Sequence, residues 1–182
     1  MRNYLEAMFR SDCEFAKQMM QDRGALPSTY ILRNYDGSIM TLVSDGSMDG
    51  HEAALVAVRL AALAYDTEAL TSMIEAWCVD VKPGDPVVPV YKSDRRREII
   101  MVRMETAGDA LHAHYEIERS ADGGCSGLTE MDNWSGDAVE EQGRMIGLIS
   151  PERPTAGQRK EALRVLDKAK AAGLMLPVKI DA

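Results

Sequence analysis

The chain predicts an α+β fold, a central and mostly antiparallel sheet of about five strands with helices packed on it. Two observations carry that expectation. Apolar residues recur at helical spacing over 3–23, 51–65 and 156–172, while the runs between them are short, rich in β-branched residues and in places strictly alternating. Glycine-bearing turns at Asp36-Gly37 and Gly108-Asp109 then join neighbouring runs into hairpins. The resulting order is helix, two strands, helix, three strands and a C-terminal helix.

Each element has a local reason. Leu5, Met8, Phe9, Phe15, Met19 and Met20 give the first helix a broad apolar stripe, and Gly24 is placed for its C-cap. After Leu26-Pro27-Ser28, the runs Thr29–Arg33 and Ile39–Val43 read as strands around the Asp-Gly turn. Asp49 and Glu52 form a capping-box analogue for a helix reaching about Tyr65, with Arg59 its lone polar residue between Ala53 and Ala64. A strand over 70–81 follows, then a Pro-stiffened loop around Lys82–Pro86 and Pro89. Arg97–Thr106 and Leu111–Arg119 are the next strands. In the latter, Leu111, Ala113, Tyr115 and Ile117 face one way and His112, His114, Glu116 and Glu118 the other.

The pattern then fades from Ser120 to Pro154, apart from the short apolar island Met145–Ile149. Thr155 and Gln158 make a second capping box, and Leu163, Leu166 and Ala169 give the last helix a narrow stripe before Gly173. The expected organisation is a core domain over 1–120, an irregular acidic linker over 121–155, and a C-terminal helix and tail over 156–182 packing on the core. Three cysteines at unrelated spacings read as thiols of a reducing compartment.

Bulk numbers exclude several classes. With 29 acids against 21 bases and a net charge of −8, the chain lacks the basic face that phosphate neutralisation needs, so no nucleic-acid partner is expected. No apolar run reaches the ~18 residues of a membrane span, and the start Met-Arg-Asn-Tyr-Leu-Glu has no signal-peptide core. A cytoplasmic protein without a membrane partner is expected.

Glu75 stands where an apolar residue would be expected, sharing a strand face with Met73, Trp77 and Val79. A carboxylate in such company is paired, hydrogen-bonded or protonated. It could serve as a general acid or base, or as one half of an ion pair. Setting Val81 opposite Arg97 places Val79 at Ile99, Trp77 at Met101 and Glu75 at Arg103, with Met101 and Ile99 then meeting Tyr115 and Ile117. That register favours a structural Glu75–Arg103 pair.

His112, His114 and Glu116 share a face at i, i+2 and i+4, a chemically sensible zinc set, and His-x-His after an upstream acid looks like the JAMM metalloprotease pattern. The Ser and Asp of that family are missing at their spacing, so the simpler reading is a solvated strand face. His51-Glu52 lacks the second zincin histidine, because position 55 is Leu. Cys125 sits in a Gly-rich loop with no activating base placed beside it. Arg95–Arg97 is expected to close the sheet edge and pair with Asp80, Asp85 or Glu98. Nucleotide-binding glycine motifs are absent. No cofactor and no metal are expected.

The segment Ile74-Glu-Ala-Trp77, the Pro-rich loop and Asp94-Arg-Arg-Arg-Glu98 resemble uncharacterised bacterial and phage-borne proteins in which a Glu-Ala-Trp strand precedes an Asp-Arg-x-Glu strand. The resemblance implies no activity. The signature residues are Glu75, Trp77, Arg97 and Glu98, with Arg103 added by the register. The element order is also similar to profilin-like and roadblock-like folds, a likeness of topology alone. The functional expectation is a protein that acts by association, as a homodimer or structural module. The alternatives are a hydrolase using Glu75 or His112/His114, and a small-molecule sensor with a pocket near Glu75 and Trp77.

Overall fold

Local signals set most element boundaries in the computed structural model, which describes residues 2–44, 48–79, 88–131 and 147–171. The chain forms α1 (Arg2–Arg23), β1 (Thr29–Asn34), β2 (Ile39–Val43), α2 (Met48–Ala64), β3 (Thr67–Cys78), a 3-10 turn (Val90–Lys92), β4 (Arg97–Thr106), β5 (Ala110–Arg119), β6 (Cys125–Glu130) and α3 (Ala156–Ala171). The strands make one antiparallel sheet in the order β2-β1-β3-β4-β5-β6. The sheet has six strands, not about five, because β6 lies in the stretch expected to be irregular. Several expectations fall outside the described residues or side chains: the Asp49/Glu52 cap, His51, the 82–86 loop with Asp80, Val81 and Asp85, the start of the 145–149 island, and Gly173.

Turn and cap chemistry behaves as its residues dictate. Gly24 takes φ 68° and its N–H donates to Met20 O at 2.8 Å, ending α1. The β1–β2 hairpin closes with Asn34 N–H on Ser38 O at 3.0 Å and Gly37 at φ 83°, a three-residue loop whose last member is left-handed. Gln158 N–H donates to Thr155 Oγ1 at 3.3 Å and Thr155 N–H to Gln158 Oε1 at 2.8 Å, the reciprocal cap of α3.

Two compact units divide the chain: Met1–Leu26, Met73–Val102 and His112–Asn133 form one, and Pro27–Ser72, Arg103–Leu111 and Trp134–Ala182 the other. In the first unit α1 packs on β6. Its buried stripe is Asp12, Cys13, Ala16 and Met20, and Phe15, expected on the apolar face, is 45% exposed. Position 15 falls out of phase with a stripe advancing by threes and fours. Burial pushes the Cys13 thiol up to about 11, as befits a packed thiol.

In the second unit, Tyr30, Leu32 and Leu42 of the first hairpin join Leu55, Val58 and Ala61 of α2, and Ala162 and Leu166 of α3, in one core. The seam of α3 is therefore 162/166, and Leu163 is 37% exposed. Tyr30 is fully buried, and its hydroxyl has no hydrogen-bond partner among the described residues. Burial pushes that phenol up to about 12. Because the hydroxyl is desolvated without compensation, Tyr30→Phe is expected to be neutral or to stabilise the fold by about 1 kcal/mol. Urea unfolding showing a loss of that size would disprove it. No helix among the described residues is long and apolar enough to cross a membrane.

Candidate functional site

Glu75, expected opposite Arg103, is engaged by Arg119. Its Oε1 accepts the Leu26 N–H, and its Oε2 lies 3.4 Å from Arg119 Nη2. Arg119 also binds Glu98 through Nε at 3.0 Å and through Nη2, and it donates to Gly24 O. The guanidinium thus fastens two carboxylates and the turn that follows α1. Hydrogen bonding to Arg119 holds the Glu98 carboxyl below its usual range, and Glu98 in turn raises Arg119. Both Glu75 oxygens are engaged in this way, and the two carboxylates and the guanidinium form a clasp.

The β4–β5 register also differs from the expected one. The β4–β5 hairpin closes with Thr106 N–H on Asp109 O at 2.9 Å, so two residues, Ala107 and Gly108, form its loop. That closure moves the register one residue from the expected one and pairs odd positions of one strand with even positions of the other. Glu98 accordingly meets Arg119, and Arg97 meets Glu116 at 3.0 Å. Arg96, which precedes β4, lies over Trp77. Arg103 sits 3.5 Å from Glu105, two residues along its own strand, and both are buried. Arg119 is the member of this cluster that sequence patterning does not single out. Its signal was present, because it continues the Ala113-Tyr115-Ile117 face of β5 just as Glu75 interrupts that of β3.

His112 and His114 lie on the less buried face of β5, as alternation predicts, and Glu116 on that face is engaged by Arg97. Among the described residues no three His, Cys, Asp or Glu side chains gather closely enough to hold a metal ion. Elemental analysis of purified protein is expected to find no stoichiometric zinc; about one zinc per chain, lost in His114→Ala, would reverse this. Cys125 opens β6, with Sγ 3.4 Å from Gly127 O.

Trp77 departs most from expectation. It is 53% exposed, although it shares an apolar strand face in sequence. The Arg96 guanidinium lies 4.7 Å from its ring centroid and donates to Tyr91 O at 2.8 Å. Tyr91 is 68% exposed, and Val88 and Val90 beside it in sequence are exposed as well. In the second unit a cavity of about 150 Å³ is lined by Tyr35, Thr67, Ile149, Ser150 and Arg153 among others. Glu75 and Trp77 are not part of its lining. No protein-family model, no curated protein and no solved structure matches the chain, so the profilin-like analogy rests on element order alone.

Proposed function

We propose that this protein acts by protein association, with the surface around Trp77 as the contact. The observation that supports the reading is a large aromatic left over half exposed, its ring covered by an arginine that the backbone carbonyl of a second exposed aromatic, Tyr91, holds in place. Trp, Tyr and Arg are the side chains that most often dominate binding at protein interfaces. A guanidinium held by an indole and a carbonyl loses little freedom on binding. Glu75 and Glu98, by contrast, are engaged by Arg119 and offer no comparable reactive group.

The test is a photo-crosslinking amino acid at position 91, used in the full chain in its native cell. A discrete adduct is expected, and Trp77→Ala should abolish it. An adduct at twice the chain mass would identify a second copy, as in the expected homodimer, and any other mass a different protein. Absence of an adduct, or one insensitive to Trp77→Ala, would overturn the reading. Because Trp77 is exposed, Trp77→Ala should change stability by no more than about 1 kcal/mol, which thermal unfolding checks.

A further inference from the structure

Resting on the association reading, we infer that the Trp77 surface takes an acidic peptide segment of another protein, its carboxylates on the Arg96 and Lys92 cations and an apolar side chain on the exposed aromatics. The argument is one of charge. Residues 88–97 carry Lys92, Arg95, Arg96 and Arg97 against the single acid Asp94, within a chain whose acids outnumber its bases 29 to 21. Arg97 is engaged by Glu116 and Arg95 has a partner of its own, so the proposed contact uses Arg96 and Lys92. Arg96 has no carboxylate partner among the described residues: its bonds are to the Tyr91 carbonyl and the Trp77 ring. A guanidinium has five N–H donors, so a fixed Arg96 still presents donors suited to a carboxylate. Lys92 lies 5.6 Å from the Tyr91 ring centroid and is likewise exposed.

The same features disfavour two other occupants. A twofold contact between copies would set this cationic cluster against itself, since a twofold interface uses the same patch on both sides. A nucleic acid also likes cations beside aromatics. Its charge, however, continues past the patch onto a protein of net charge −8. Screening acts over about 8 Å at physiological salt, so a short acidic segment feels the patch and little of the surrounding field.

Fluorescence anisotropy with the full chain tests this. The probes are a labelled Phe-containing Asp/Glu peptide, its Asn/Gln twin and oligo(U). The acidic peptide is expected to bind, to weaken as salt rises, and to lose about tenfold in affinity with Trp77→Ala and again with Arg96→Gln. Equal binding of the twin, preference for oligo(U), indifference to both substitutions, or no binding of the acidic peptide would each overturn the inference. A Trp77-dependent crosslink from position 91 together with a failed peptide titration would leave association standing and remove only the acidic partner. Loss of the crosslink as well would remove both.

Discussion

Arg119→Met is expected to cost about 3 kcal/mol of stability at neutral pH. The substitution keeps most of the aliphatic stem and removes the cation shared by Glu75, Glu98 and the Gly24 carbonyl. The three charged side chains are only 20% to 27% exposed, so water cannot fully replace the lost partner. A solvent-exposed pair would be worth far less. Two carboxylates left together then repel each other. In the wild type, Glu98 is held below its ordinary value, so its contribution is present above the usual carboxylate range and fades as pH falls through the lowered value. In the variant the sign reverses, because protonating Glu98 relieves the repulsion. The stability gap should therefore narrow between about pH 7 and about pH 4. Adding Glu98→Gln to Arg119→Met should recover about 1 kcal/mol at neutral pH. Urea unfolding with a gap independent of pH would show that the cost of Arg119→Met is lost packing and not uncompensated charge.

That clasp also marks where sequence stops being sufficient. The helices, the first hairpin and the caps at Gly24 and Thr155 were legible because each depends on residues a few positions apart. The chemistry of Glu75 was legible too: an acid among apolar residues needed a partner, and it has one. Its identity was not legible, because matching side chains across neighbouring strands gave Arg103, while the base that engages Glu75 comes from β5, beyond β4 in the sheet. Strand β6 was hidden for a related reason. Cys-Ser-Gly-Leu-Thr-Glu shows no alternation, and its pairing with β5 is interrupted by an irregularity beside Arg119. The exposed Trp77 could not be foreseen from a pattern that placed it with Met73, since periodicity assigns a face without saying how far along a strand the covering layer extends.

Asp66→Ala is expected to cost about 3 kcal/mol through two separable effects, the backbone strain and the ion pairs. Asp66 follows α2 at φ 56°, the one positive φ outside glycine among the described residues, and Asp tolerates that region better than Ala. Its carbonyl accepts the Tyr35 N–H at 3.1 Å. Its carboxylate takes Arg153 Nε at 2.9 Å and Nη2 at 2.6 Å, together with Arg159 Nη1 at 2.7 Å, so this one residue, through its carbonyl and its carboxylate, ties the first hairpin's turn to the segment before α3 and to α3 itself. Arg153 in turn covers the Tyr35 ring at 4.2 Å. Either arginine alone is too exposed to contribute much. The buried carboxylate that both converge on is what makes the loss large. Asp66→Asn keeps the left-handed backbone and some hydrogen bonding and should cost about half as much; Asp66→Gly keeps the backbone without the bonds and should fall between them. Hydrogen bonding to Arg153 holds the Asp66 carboxyl below its ordinary value. Its contribution is therefore present above the usual Asp range and is lost as pH falls through the lowered value, so the acid limb of the stability profile should flatten in Asp66→Asn. If Asp66→Ala and Asp66→Gly unfolded at the same urea concentration, the backbone would contribute nothing. If Asp66→Asn matched the wild type at every pH, the two arginines would be surface decoration and the tie between hairpin and α3 would rest on the apolar core alone.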